Sequence, residues 1–194
     1  MTSRNARDAV RRRGIGVFVL HVVLESVWLY LGVRLLFDQV RNLDPRLERE
    51  AVSIVTGAIV IGVGALIVAW FVVAVIMHVG CGGGKRGTFT DAFGVAGWAY
   101  APEVVLFLPS AIYGWWEIRH RSFDGSDPER LVAEFDAIAS QTDLAAVLIA
   151  LATTLWSVYI LTYGIAETHD IPVDRAATPA VVVGLGSILF FLIN

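Results

Sequence analysis

Hydrophobic residues in this chain come in blocks, neither alternating nor confined to one-sided stripes. Five blocks stand out: residues 15–37, 51–77, 92–116, 144–165 and 176–193. The second is apolar all round a helix, the mark of a segment solvated by lipid and by other helices. About 20 helical residues at 1.5 Å each cross a ~30 Å hydrocarbon core, and each block is of that order. The pattern predicts an all-α, polytopic membrane bundle of five transmembrane helices with termini on opposite sides.

The second and third blocks are joined by the short run HVGCGGGKRGT, so they form an antiparallel hairpin. Thr88 and Asp91 make a T-x-x-D capping pattern that starts the third helix near Phe89. Pro102 and Pro109 lie inside that helix, where each removes a donor and frees the carbonyl four residues back, at Trp98 and Val105. A kinked third span follows. Pro179 falls in the first turn of the fifth block, where its missing N–H costs nothing. The one long connection, 117–143, holds a helix start at Asp127-Pro128 and an apolar stripe at Leu131, Phe135 and Ile138. Its other face carries Glu129, Glu134 and Asp136, predicting a short extramembrane helix between spans three and four.

Small residues at helix-packing spacing (Ala58 and Gly62, Gly97 and Ala101, Ala146 and Ala150) favour close backbone approach. Tyr113, Trp115 and Trp116 cluster where the third span meets the headgroups, as amphipathic rings prefer.

Composition agrees. Hydrophobic residues make up 56% of the 194 and charged ones 17%, with mean hydropathy +0.67, whereas soluble domains carry about 25% charged residues. A net charge of −3 gives no basic surface for nucleic acid. The single cysteine, Cys81, cannot form an internal disulfide. Residues 1–14 form a basic N-terminal region with five arginines, and 15–194 form one transmembrane domain. Lys and Arg number eight on the N-terminal side of the spans against six opposite. That excess predicts a multi-pass protein of the cell membrane with a cytoplasmic N-terminus and an outside C-terminus.

Candidate chemistry is sparse. GCGGGKRGT is not a phosphate loop: with Lys85 as the loop lysine, Val79 replaces the first glycine and Arg86 the Ser/Thr. A tight inter-span turn fits, with Lys85 and Arg86 as candidate contacts to anionic lipid headgroups. His78, Cys81, Glu167 and His169 fall on the inner side, but their spacing matches no structural zinc pattern, so no metal is expected. No cofactor and no catalytic constellation is indicated. The sharper signal is intramembrane: Glu25 near the middle of span one, His21 one turn before it on the same face, and Glu103 near the middle of span three. A charge at that depth costs at least ~2.5–3.5 kcal/mol, so these groups pair, stay neutral or serve a polar path. The sequence reads as a His21–Glu25 pair with Glu103 protonated, or as a proton or cation path through all three.

The hairpin MHVGCGGGKRGTFTDAFGVAGWAYAPEVV resembles the Yip1 family of five-span integral membrane proteins. The matching features are a span ending in His78, the glycine turn with Gly83 and Gly87, Phe89, Asp91, and Pro102 in the next span. A second stretch, WSVYILTYGIAETHDIPVDRAA, is similar to the family's fourth span, with Trp156 and Gly164 followed by Glu167 and His169. Together these cover residues 51–193, and the short N-terminal region resembles the prokaryotic branch. The resemblance implies a five-helix bundle with a cytosolic N-terminus. Eukaryotic relatives are associated with early secretory membranes and Rab-type GTPases through a longer N-terminal region, so Rab binding is not carried over. The expectation is a non-enzymatic membrane-organising or partner-binding scaffold whose partners are the bilayer and another membrane protein or a second copy. The alternative is a small proton- or cation-coupled transporter or channel using Glu25 and Glu103.

Overall fold

A computed structural model describes residues 2–42, 45–83, 87–126, 129–130, 132–134 and 144–193. Two features predicted from sequence lie largely outside them. Lys85 and Arg86 are not among the described residues. Of the helix expected in the long connection, 129–130 and 132–134 are helical, while Asp127, Pro128, Leu131, Phe135 and Ile138 are not described.

Six helices carry the fold: α1 (Thr2–Asp38), α2 (Pro45–Gly80), α3 (Phe89–Trp98), α4 (Ala101–Arg119), α5 (Leu144–His169) and α6 (Val173–Ile193). Helices α3 and α4 form one broken span, so five segments are long and apolar enough to cross a membrane. The all-α, five-span architecture is therefore as the hydropathy blocks predict.

Boundaries differ in instructive ways. The basic N-terminal stretch is helical and continuous with the first span, α1 beginning at Thr2. Packing explains why: Trp98 donates its indole N–H to the Val10 carbonyl at 3.0 Å, tying the stretch to α3. Helix α6 starts at Val173, so Pro179 sits inside the helix and not in its first turn. Gly80 makes room for it, since a Cβ there would lie 2.7 Å from Pro179 Cβ.

Helix α3 packs between α1, α2 and α5, and α5 and α6 form a tight hairpin. Where α1 crosses α3 the two backbones touch. A methyl on Gly14 would overlap the Gly94 carbonyl, and one on Gly97 would overlap that of Gly14. Gly97 is thus an interface residue, as its spacing suggested. Ala58 and Gly62 are not: both are exposed, and a Cβ on Gly62 meets nothing within 4 Å. Inside, the Trp70 ring stacks between Phe18 and Phe93 at centroid distances of 4.0 and 3.7 Å, and its N–H reaches the Phe93 carbonyl at 3.0 Å. A buried indole that keeps its hydrogen bond pins α1, α2 and α3 in one arrangement.

At the end of the bundle where α1 and α4 finish, strands β1 (Val40–Arg41) and β2 (Phe123–Asp124) pair in parallel, Val40 beside Phe123 and Arg41 beside Asp124. They link the chain just past α1 to the chain just past α4. Tyr113, Trp115 and Trp116 are exposed at that end, with the Arg119 guanidinium 4.9 Å over the Trp115 ring.

Candidate functional site

Pro102 shapes the polar centre. It occupies the first turn of α4, and the span breaks just before it, at Ala99 and Tyr100. A broken helix at membrane depth survives only where its freed backbone groups find partners. One partner comes from α5: the Ser157 hydroxyl donates to the Ala99 carbonyl at 2.6 Å. The break also makes a helix N-terminus in mid-span, with Glu103 in its first turn. The positive end of the helix dipole favours a carboxylate there.

His21 does not pair with Glu25. Its ring is buried, 6% exposed, and its Nε2 lies 3.2 Å from Glu103 Oε2 across the α1–α4 interface. Tyr100 lies beside it, ring centroids 5.0 Å apart. The pair expected within one helix is thus a bridge between two, because the break brings Glu103 to the face of α1 that holds His21.

Glu25 is left with no hydrogen-bond or ion-pair partner among the described residues. It is exposed on the side of the bundle, where it lines an open cavity of about 250 Å³ together with Glu103, Trp28, Phe107 and Ser110. Glu103 also belongs to the wall of a second cavity of about 100 Å³, which reaches Thr154, Ser157 and Ser187. A single carboxylate therefore faces two openings on either side of the break.

Apart from Pro102, Trp156 and Gly164, the residues that carry the family resemblance gather elsewhere, around the turn between α2 and α3 and the end of α5. His78 Nδ1 and His169 Nε2 are 3.3 Å apart, and His169 is fully buried, with Thr168 Oγ1 3.2 Å from its other ring nitrogen. Gly87 lies against that ring: a Cβ there would come 2.5 Å from it. Phe89 meets His78 edge-on at 5.9 Å. Gly82 and Gly83 take φ of +99° and +61°, the turn conformation that glycine adopts without strain. The Thr88 and Asp91 capping box forms in both directions. Gly164 packs on Val95, while Trp156 and Glu167 are exposed. No third histidine, cysteine or carboxylate joins His78 and His169 in a metal-holding group among the described residues.

The family model described as the Yip1 domain matches residues 2–193. The chain belongs to the Yip1 family. No curated protein sequence and no solved structure matches it. The Yip1 match takes in span one, which lies outside the 51–193 stretch that carries the resemblance. It makes a multi-pass membrane protein the coarse description of this chain. His78, Gly87, Phe89 and His169 come together in this chain, where a histidine contact closes the turn between spans two and three onto the end of span four.

Sequence reasoning missed Ser157, Trp28 and Tyr100. Ser157 was visible as a hydroxyl in an apolar span, but nothing in the sequence says which carbonyl it serves.

Proposed function

We propose that this Yip1-family bundle handles cations within the membrane, passing a proton or a small cation along Glu25 and Glu103. The observation that carries the reading is the shared cavity: two carboxylates near mid-membrane line one opening, and only one of them is bridged by a histidine. An unpartnered carboxylate at that depth is costly unless a proton or cation attends it. The broken α3–α4 span supports the reading, since helix termini at mid-membrane are how several transporter folds present ion sites. No step here calls for catalysis or a cofactor. In this reading the protein lies in the cell membrane, N-terminus cytoplasmic and C-terminus outside.

The test is flux in reconstituted vesicles. A proton or monovalent-cation flux above that of empty vesicles is expected, reduced at least tenfold by Glu103→Gln and by Glu25→Gln. Flux equal to empty vesicles removes the reading and favours the scaffold role implied by the family, which would then show as co-purification of a stable membrane partner.

A further inference from the structure

The larger cavity has more than a proton relay needs. Beside Glu25 and Glu103 its wall is aromatic and apolar: Trp28, Leu106, Phe107 and Ile149. We propose that it is a binding site for a small organic ammonium ion with an aryl or short alkyl body, entering sideways from the bilayer. The proposal rests on the reading of Glu25 and Glu103 as a cation site and names the cation.

Size sets the first limit. At about 250 Å³ the space exceeds the ~150 Å³ cavity that takes a benzene ring and falls below the ~300 Å³ at which drug-sized pockets begin. Charge sets the second. Glu103 is engaged by His21, so Glu25 supplies the carboxylate whose oxygens are free for a ligand, and an ammonium monocation is the head that matches it. An ammonium head brings three donors for carboxylate oxygens.

The wall decides between kinds of cation. Hard divalent metal ions seek six or more oxygen ligands, which a half-hydrocarbon wall does not offer. An indole face attracts a desolvated ammonium, and hydrocarbon walls accept the body that such a ligand carries. Trp28 is held in place for this: its ring packs on Gly114, where a Cβ would come 3.0 Å from Cζ2. Thr153 is also on the wall, and its hydroxyl hydrogen is committed to the Ile149 or Ala150 carbonyl, 2.9 Å away in each case, which leaves its oxygen as an acceptor.

The experiment uses the full chain in detergent micelles, titrated with benzylammonium and, in parallel, with benzyl alcohol. Thermal unfolding is followed by tryptophan fluorescence. Benzylammonium should raise the unfolding midpoint in a saturable way, and benzyl alcohol should not. Glu25→Gln should weaken the apparent affinity at least tenfold, and Ala111→Phe should abolish binding by filling the cavity. Should either variant fail to fold, equilibrium dialysis of radiolabelled benzylammonium against the wild-type protein decides. One saturable site, resistant to benzyl alcohol, supports the assignment; no saturable site overturns it. Equal shifts by amine and alcohol, or full affinity in a folded Glu25→Gln protein, also overturn it. Vesicle flux that depends on Glu103 without any amine binding overturns this site and leaves the transport reading intact. Amine binding without flux supports the site and removes transport.

Discussion

His21 Nε2 and Glu103 Oε2 lie 3.2 Å apart, joining the middle of the first span to the break in the third. Eighty-two positions separate the two residues in the sequence. Their contact holds α1 against the start of α4 and occupies one carboxylate of the cavity, leaving Glu25 as the one whose oxygens have no partner among the described residues.

Removing the histidine should loosen that join. Hydrogen bonds between membrane helices average ~0.6 kcal/mol and reach ~1.7. His21→Ala should therefore lose about 1–2 kcal/mol in reversible SDS unfolding, the upper end reflecting the buried ring that also goes. A loss within error of zero would mean the bridge contributes nothing to the fold.

Ser157→Ala tests the repair of the broken span. Without its hydroxyl the Ala99 carbonyl loses the partner found at 2.6 Å, at a cost of about 1–3 kcal/mol for an unsatisfied buried acceptor. Ser157→Thr, which keeps the hydroxyl, should recover most of it. The same unfolding assay reads both.

The α1–α3 crossing is the least tolerant place in the bundle. A methyl on Gly14 meets backbone, which cannot swing aside as a side chain can. Gly14→Ala should cost about 1–3 kcal/mol, the usual range for overpacking, or more. Gly16→Ala, two residues on in the same helix with nothing within 4 Å of the added carbon, should be neutral or slightly stabilising. Equal behaviour of the two variants in detergent size-exclusion and unfolding would refute the crossing.

Beside the paired strands, Asp124 gives a pH signature. The Ser126 backbone N–H, 3.1 Å from Oδ1, then the Ser126 side chain and that of Asn42, hold its carboxyl below the usual carboxylate range. A depressed folded value means stability that is present above the unfolded pKa of ~3.9 and lost as pH falls through the folded one. Hydrogen exchange at Gly125, whose amide bonds the Arg41 carbonyl at 2.8 Å, should speed up below about pH 4 after correction for intrinsic rates. Asp124→Asn should remove that dependence.

In the orientation proposed above, five crossings put the two ends on opposite faces of the membrane. A cysteine at Ser3 should be labelled by an impermeant maleimide only from the cytoplasmic side, and one at Ile193 only from outside. The native thiol, Cys81, is buried and should stay silent in both experiments. Labelling of both ends from one side would contradict a five-span topology.

Most of the architecture was legible because lipid imposes a simple demand: a span must be long, helical and apolar, and hydropathy blocks show it directly. The capping box and the interruption near Pro102 were legible because each follows from bonds within a few residues. What escaped needed distance information. Glu25 lies one turn from His21, so local geometry favoured that pair, while the true partner comes from another helix through a break whose angle no spacing encodes. The contact between His78 and His169 spans ninety-one positions and has no local signature. Two-residue strands are too short for any alternation to reveal.

That small parallel ladder has a mechanical consequence. Stitched at Val40–Phe123 and Arg41–Asp124, the first span and the second half of the third behave as two posts of one doorframe. The helices that carry Glu25 and Glu103 are thereby kept from spreading apart at that end of the bundle.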